Sequence, residues 1–283
     1  RDMPMSVWQQ RDALMRGIRA FFHERDFTEV DTPIRIPTPC MELHIDAEPS
    51  GDYFLRTSPE LFHKKLLATG HERIFELGKC FRHGERGSLH NPEYTMLEWY
   101  RADADYMDIL EETKALISTV WKGFSNDWKI LTVSQAFKEY AGWDPVGNYD
   151  GNRFDNDLVL KVETGLKTVC GAVVLKDYPV EAAALSRRKP DNPLVAERWE
   201  LYIDGVELAN AYSELTDPDE QRSRFEECAD KRKALGKESY GIDAEFIDAV
   251  GRMPPSGGVA LGVDRLLMVM TGRSSLDQVL PFR

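Results

Sequence analysis

The sequence predicts an α+β fold in which helices flank an antiparallel β-sheet. Two segments, residues 73–100 and 199–214, alternate apolar and polar side chains on both sides of a connection, as the strands of antiparallel hairpins do. Elsewhere apolar residues recur every three or four positions, which is typical of helices that bury one face. Since each hairpin and each such helix has one apolar face to cover, we expect the helices to pack on one sheet.

The first seventy residues contain two predicted helices around a long connection. An amphipathic helix covers about residues 6–23, and a short strand follows at 27–30. Residues 35–52 combine prolines with no sustained period, so they predict an irregular surface connection. The second helix is expected to begin at Pro59 with Ser58 as its N-cap, because proline suits the first helical position and serine suits the cap.

The hairpin at 73–100 carries the densest chemistry in the sequence. In its second strand Tyr94, Glu98 and Tyr100 share one face, which places two phenols and a carboxylate on one surface. The simpler interpretation of such alternation is an amphipathic hairpin whose polar face only contacts solvent. The connection argues against that reading, because it concentrates cationic donors in a chain of net charge -12. These donors are Arg82, His83, Arg86 and His90.

In the later part of the chain the periodicity of apolar residues is clear in some segments and weak in others. Residues 109–124 predict a long amphipathic scaffold helix. Residues 140–193 show clusters of Gly, Asn and Asp with one possible strand at 169–175, and they predict an insertion or mobile connection without a site. Asp204-Gly205 is a favoured two-residue hairpin turn. A further helix is expected to run from Pro218 to about Leu235.

A glycine-rich unit, residues 257–265, precedes the last apolar helix. Glycine lets a backbone approach a ligand closely. Arg265 falls at the N-terminal end of that helix, where the helix dipole disfavours a cation unless an anion lies there too. The unit therefore outlines a phosphate site. Taken alone, a surface arginine paired with the neighbours of Asp264 explains the pattern equally well.

Four glutamates, Glu60, Glu98, Glu207 and Glu214, lie in polar or strand contexts. Arginines suit phosphate oxygens, whereas these acids would suit a cationic substrate. Glu207 could hold Mg²⁺, which prefers a few carboxylates together with substrate phosphates. Strict strand alternation places Glu207 on the face opposite to Asn210 and Glu214, so bringing the three together requires a helix face or a β-bulge.

Composition and motif searches narrow the function classes. The chain has 48 acidic and 36 basic residues, which disfavours a broad nucleic-acid footprint. Its four cysteines lie far apart, so neither a zinc knuckle nor a disulfide framework is indicated. The P-loop, the Rossmann fingerprint and the G-x-S-x-G elbow do not occur. Because no long apolar run occurs either, we expect a soluble, cytoplasmic protein without a membrane anchor.

Taken together, these residues resemble the three signature motifs of the class II aminoacyl-tRNA synthetases. The helix and strand ending at Pro33 are similar to motif 1, residues 81–100 to motif 2 and residues 258–265 to motif 3. Three further segments resemble the lysyl branch: TSPEL at 57–61, HNPEYTMLEWY at 90–100 and ELANAYSELTD at 207–217. The resemblance implies one class II catalytic domain over residues 1–283 and a homodimer formed through motif 1.

The resemblance also implies ATP and Mg²⁺ as cofactors and assigns roles. Arg82 would contact the α-phosphate and Arg265 the γ-phosphate, while Tyr94 would stack on adenine. Glu207 would organise Mg²⁺. Residues implied to border the nucleotide are His83, Gly84, Glu85, Asn91, Leu208 and Gly262. Residues implied to border a lysine-like substrate are Ser58, Pro59, Glu60, Glu98, Tyr100, Asn210, Glu214 and Ala260. Among these, Glu60 and Glu98 would face the backbone-side amine, and Glu214 with Tyr100 would read the terminal ammonium.

Two features separate the chain from the tRNA-charging members of the lysyl branch. Motif 1 begins almost at Arg1, so we expect no N-terminal anticodon-binding OB-fold domain. Ala260 stands where those enzymes have glycine and where the paralogous lysine ligases have alanine. The chain thus resembles the paralogs that activate (R)-β-lysine and transfer it to a lysine of elongation factor P, with tRNA a less favoured acceptor. A truncated tRNA-charging enzyme, a ligase for another carrier and a non-catalytic binding module stay open as alternatives.

The sequence departs from the family pattern at two places. After the first motif 2 strand the family has Arg-Asn-Glu, but this chain has Arg82-His83-Gly84 and a glutamate one position later. We expect Glu85 to replace the family glutamate through a shifted loop. Ala211 replaces a glycine that both branches share.

Overall fold

The part of the chain described by this computed structural model, residues 5–282, is built from short strands and helices. The strands are β1 Thr28–Glu29, β2 Arg35–Ile36, β3 Glu48–Ser50, β4 Tyr53–Leu55, β5 Arg73–Phe81, β6 Glu93–Ala102, β7 Trp128–Thr132, β8 Ala172–Pro179, β9 Arg188–Lys189, β10 Asn192–Ile203, β11 Val206–Ser213 and β12 Ser256–Gly262. The helices are α1 Val7–His23, α2 Glu60–Ala68, α3 Tyr106–Val120, α4 Val133–Tyr140, α5 Gly151–Asp157, α6 Glu163–Leu166, α7 Pro218–Ala234, α8 Ala244–Val250 and α9 Val263–Met270. No helix within residues 5–282 has the length and apolar character that a bilayer crossing requires.

One mixed sheet of nine strands organises the described chain. Its main path runs β1-β5-β6-β12-β11-β10-β8-β7, with β9 beside β10. Only β1 with β5 and β7 with β8 pair in parallel, and the remaining neighbours are antiparallel. A smaller sheet, in the order β2-β4-β3, lies beside it. The predicted α+β class, with helices flanking a largely antiparallel sheet, is confirmed.

The largest hydrophobic core lies between the main sheet and helices α1, α3 and α9. Its centre is aromatic: the Phe22 ring stacks on Phe75 at 4.8 Å between centroids and lies 5.0 Å from Trp99. Aromatic side chains bury large apolar areas, so this cluster ties α1 firmly to β5 and β6. The opposite face of the same strands is left to polar side chains, which form the cleft described below.

Both predicted hairpins are present. Strands β5 and β6 pair with Glu76 opposite Glu98. Between β10 and β11, Asp204 and Gly205 have φ values of 50° and 75°, which are the left-handed angles of a favoured two-residue hairpin turn. The pairing of β10 with β11 also skips one residue, because Leu201 faces Ala209 whereas its neighbour Tyr202 faces Glu207.

The skipped residue, Leu208, makes the predicted β-bulge a feature of the structure. An extra residue in one strand reverses the alternation of the side chains that follow it. Glu207 therefore joins Asn210 and Glu214 on the wall of the cleft, as the bulged-strand reading expected.

Two predictions near the N-terminus require correction. The segment 35–52 is not wholly irregular, since it contains β2 and β3 at its ends. Helix α2 begins at Glu60 rather than at Pro59, which occupies the N-cap position. Ser58 still serves the helix start, because its hydroxyl oxygen accepts a hydrogen bond from the Glu60 N–H at 3.1 Å.

The segment 140–193 is far more regular than its sequence pattern indicated. It contains α5, a π-helical turn at Leu158–Val162, α6, β8 and β9. Strand β8 lies inside the main sheet between β10 and β7, and seven of its eight residues are buried. A strand buried on both faces reads as a continuous apolar run, and the run at 172–175 is the part that was predicted. The second part was missed because Lys176 and Asp177 interrupt that run.

Candidate active site

A cleft of about 1150 Å³, including its open mouth, lies over the centre of the main sheet. Strands β6, β12 and β11 are neighbours there and contribute its floor. The predicted site residues on its wall are Ser58, Glu60, Arg82, Glu85, Asn91, Tyr94, Glu98, Tyr100, Glu207, Leu208, Asn210, Glu214, Ala260, Gly262 and Arg265. Pro59, His83 and Gly84 do not line it. His83 and Gly84 are exposed, and the His83 ring is held 2.7 Å from Glu48 instead.

Arg82 is fixed at one end of the cleft by the ring of Tyr94. Its Nε donates to the Tyr94 hydroxyl at 3.1 Å, and that hydroxyl donates to the carbonyl of Thr57 at 2.7 Å. Glu85 lies 3.7 Å from the guanidinium, so the shifted glutamate does reach the cleft. The remaining guanidinium donors face a space that suits oxyanions.

Arg265 lies in the first turn of α9, near Arg82 in the cleft wall. It donates to the carbonyls of Leu89 and Glu207, both at 3.0 Å, and contacts the His90 ring at 3.2 Å. Within residues 5–282 no carboxylate forms an ion pair with it. The alternative of a surface arginine paired near Asp264 is therefore wrong: Asp264 pairs with Arg11 at 2.7 Å. The Arg265 charge is available for an anion.

Carboxylates occupy the other end of the cleft. The Glu98 carboxylate accepts hydrogen bonds from the hydroxyls of Ser58 at 2.6 Å and Tyr100 at 3.1 Å. The Tyr100 hydroxyl thus donates to Glu98, and its ring lies beside Glu214. A Cβ atom at Gly258 would collide with both the Tyr100 ring and Glu214, so glycine is required there to leave room for these two side chains.

A fully buried lysine, Lys64, lies between two of these carboxylates. Its Nζ is 2.6 Å from Glu60 and 2.8 Å from Glu214. Within residues 5–282 no group makes a well-aligned hydrogen bond to either Glu214 oxygen, so this carboxylate keeps capacity for another donor. Burial alone would lower the pKa of Lys64, but the two carboxylates raise it, and the residue stays cationic.

Burial shifts the titration of three cleft acids. It raises the pKa of Glu98 to about 8, with a further contribution from the charge of Glu60. It raises the pKa of Glu214 to about 8 although Lys64 acts in the opposite direction. Burial and the charge of Glu200 raise the pKa of Glu207 to about 7. Each carboxyl would be stabilised in its ionised form by an arriving cation.

Glu200, which the sequence patterns did not single out, is the acid whose charge acts on Glu207. Within residues 5–282 there is no cluster of three or more metal-ligating side chains. Mg²⁺ does not need one, since it usually binds one or two carboxylates together with substrate phosphates. The Glu200 carboxylate accepts hydrogen bonds from Arg198 and from the Tyr202 hydroxyl, both at 2.7 Å, and its charge still acts on Glu207. A cation beside Glu207 would relieve that repulsion, so the acids present fit this ion. The alternation around the Asp204-Gly205 turn was the signal that would have found Glu200.

A layer of buried polar groups supports the carboxylate end from below. Glu76 receives a hydrogen bond from Arg56 at 2.7 Å and another from the Thr32 N–H at 2.6 Å. The His63 ring lies 3.7 Å from both Glu76 and Glu98, and burial lowers its pKa. Because buried charges are tolerated only when partnered, this network holds the floor of the cleft in one arrangement.

Comparison with known sequences decides the family. Residues 2–283 match the family described as tRNA synthetases class II (D, K and N). The chain belongs to this family. The hairpin of β5 and β6 and the β12–α9 unit of this class II domain are the segments that resembled motifs 2 and 3.

Individual relatives of the class II domain carry two kinds of name. A lysine–tRNA ligase of Magnetococcus marinus is 34% identical over 98% of this chain, and one of Moorella thermoacetica is 37% identical over 98%. This chain spans 63% and 64% of the length of these two relatives. An elongation factor P–(R)-β-lysine ligase of Hamiltonella defensa is 34% identical over 99% of this chain and 95% of its own length.

Proposed function

We propose that this protein is an ATP-dependent ligase that activates a lysine-type amino acid, (R)-β-lysine, and transfers it to a lysine of elongation factor P. The observation that carries the proposal is the polarity of the cleft. Arg82 and Arg265 stand at one end, and within residues 5–282 Arg265 forms no ion pair with a carboxylate. The carboxylates at the other end are Glu60, Glu98 and Glu214. A triphosphate and a diamino acid have the matching order of charges.

Catalysis would consist mainly of orientation and charge stabilisation. The substrate carboxylate attacks the α-phosphorus of ATP in line, a new P–O bond forms, and pyrophosphate leaves. Arg82 would stabilise the charge that develops on the α-phosphate, and Arg265 would hold the γ-phosphate. The acceptor amine then attacks the acyl carbon and AMP leaves. Mg²⁺, when bound, supplies charge neutralisation, and Glu207 and Glu200 are the residues that would hold it.

The carboxylate end would hold the substrate amines. Glu214 has unused acceptor capacity for a terminal ammonium, and Glu60 and Glu98 lie nearer the reacting end. Tyr94 would stack on adenine with Asn91, Leu208, Gly262 and Glu85 around the nucleotide. Ala260 pairs with Glu98 on one side and Asn210 on the other, so its methyl group borders the substrate. This favours the paralogs in which alanine occupies that position.

Transfer from the adenylate identifies the acceptor. The wild-type protein is charged with ATP and either labelled α-lysine or labelled (R)-β-lysine, and purified elongation factor P or lysine tRNA is then added. The proposal expects stronger activation of (R)-β-lysine and label on elongation factor P. Stronger activation of α-lysine with label on tRNA would contradict it and would support the tRNA-charging alternative, which the lysine–tRNA ligase relatives favour.

We also propose that the protein acts in the cytoplasm as a homodimer formed through α1 and β1. Trp8 on α1 is 51% exposed and Ile34 after β1 is 40% exposed, and a partner subunit would cover both.

Substrate binding should tighten as the pH rises from about 6 to about 8. The pKa values of Glu98 and Glu214 are raised to about 8, so both carboxyls carry protons at lower pH and must release them to pair with an ammonium group. The Kd for the amino acid should fall about tenfold per pH unit for each proton released. Calorimetric titration across this range measures the effect, and a Kd that does not change with pH would show that these acids do not contact the amines.

A further inference from the structure

Glu42 brings an additional carboxylate into the cleft from a segment in which the sequence predicted no site. It lies between β2 and β3, and its partly buried side chain lines the cleft wall with Glu60 and Arg82. With the residues in 5–282 this side chain forms neither a hydrogen bond nor an ion pair. A partly buried carboxylate without a partner is costly unless a ligand supplies one.

The backbone around Glu42 is held by a buried arginine. Arg232, on α7, is 0% exposed and donates to the carbonyls of Glu42 at 2.8 Å and Ile45 at 3.0 Å. Its other donors reach the Asp46 carboxylate at 2.8 Å and the Glu238 carbonyl at 2.7 Å. A buried guanidinium with so many acceptors is rigid, so the segment 42–46 has a fixed position.

The charges around Glu42 indicate the chemistry of its ligand. Burial raises its pKa, and the neighbouring Arg82 offsets this only in part, while Glu60 adds to the rise. Arg82 faces the end of the cleft where the substrate carboxylate would react. The space shared by Glu42 and Glu60 therefore lies beside the reacting carboxylate. Lys64 pairs with Glu60 and the charge of Arg82 acts on Glu42, but no cation is hydrogen-bonded to the Glu42 carboxylate within residues 5–282, so an ammonium group is the ligand that suits this space.

We propose that Glu42 is a specificity-determining residue that binds, together with Glu60, the substrate ammonium group nearest to the reacting carboxylate. Arg232 is its positioning residue. The inference rests on the proposed function, because it assumes that an amino acid is activated in this cleft. The ligand class is an amino acid with an amine on the α- or β-carbon.

The test compares two ligands that differ only at that amine. Lysine carries it, and 6-aminohexanoic acid lacks it but keeps the terminal ammonium. For Glu42→Gln, the KM of lysine in pyrophosphate exchange should rise about 10- to 100-fold, which is the range expected for a hydrogen bond between charged groups. The inhibition constant of 6-aminohexanoic acid in the same assay should change less than about twofold.

The matched control is Asp52→Asn, which makes the same chemical change at an exposed position between β3 and β4 and should leave both constants unaltered. If Glu42→Gln raises the KM of lysine and the inhibition constant of 6-aminohexanoic acid equally, or changes neither, the role of Glu42 is overturned. A wild-type protein without lysine-dependent exchange would instead contradict the proposed function, so the two failures are distinguishable.

Arg232→Gln tests the positioning role with the same two ligands. It should raise the KM of lysine while the inhibition constant of 6-aminohexanoic acid and kcat stay close to the wild-type values. If the KM and the inhibition constant rise and kcat falls to a similar extent, or if the variant fails to fold, Arg232 is structural only. The Glu42→Gln result would then decide the rest of the inference.

Discussion

Arg82→Ala is expected to abolish pyrophosphate exchange while the protein stays folded. The guanidinium follows β5, and its side-chain contacts within residues 5–282 are with Tyr94 and Glu85, so its removal leaves the sheet and the core intact. Arginines that stabilise phosphoryl-transfer charge are worth about 10³- to 10⁵-fold in rate, and we expect a loss within that range. The exchange rate at saturating ATP and lysine, together with thermal unfolding, measures both parts of this prediction.

Arg86→Ala is the matched control for this change. Arg86 is an exposed arginine of the same connection, and it does not line the cleft. Its loss should leave exchange within about twofold of the wild-type rate if Arg82 acts by position rather than by general charge. If exchange survives Arg82→Ala, the role assigned to that residue is wrong.

Lys64→Met should destabilise the protein by about 3–5 kcal/mol at pH 8, because it leaves buried carboxylates without their counter-ion. In the wild-type protein the Lys64 ammonium lies within 2.8 Å of both Glu60 and Glu214. Urea unfolding with linear extrapolation gives the free energy of unfolding. Lys65→Met is the control: Lys65 pairs with Asp243 at 2.7 Å, but its side chain is 23% exposed, so its loss should cost about 1 kcal/mol or less.

The pH dependence of the Lys64 effect has a defined sign. The folded-state pKa of Lys64 is raised, so its contribution is fully present below its ordinary value and is lost only as the pH rises through the folded-state value. Burial raises the pKa of Glu214 to about 8 in the wild-type protein although Lys64 lowers it, so in the variant that pKa rises further and the buried carboxyls bind protons as the pH falls. The stability loss should therefore shrink between pH 8 and pH 5. Equal losses in Lys64→Met and Lys65→Met would contradict this account.

Local patterns predicted the parts of the site that depend on strand alternation and turn chemistry. Tyr94, Glu98 and Tyr100 do share the cleft face of β6. The Asp204-Gly205 turn fixes the register of β10 and β11. The sequence also indicated that a β-bulge could bring Glu207 and Glu214 onto one face, and the bulge is present. In each case one strand or one turn carries the whole argument, so the sequence suffices.

Lys64 and Glu42 were missed because their significance is tertiary. Lys64 is four residues after Glu60 on a helix, and that spacing normally indicates an exposed ion pair. Its burial depends on Glu214, 150 positions away along the chain. Glu42 lies in a segment without periodicity and reaches the cleft only because Arg232, on a distant helix, holds its backbone. No pattern within a short window contains such information.

The central claim is that this cleft activates an amino acid that carries a second, terminal ammonium group. The most direct measurement is ATP–pyrophosphate exchange by the wild-type protein with lysine or (R)-β-lysine, compared with norleucine, which has the shape of lysine but no terminal amine. Because norleucine has no terminal amine to donate to the remaining acceptor capacity of the buried Glu214 carboxylate, exchange should be at least about 10³-fold weaker with it. Comparable exchange with norleucine, or exchange with none of the three, would contradict the account.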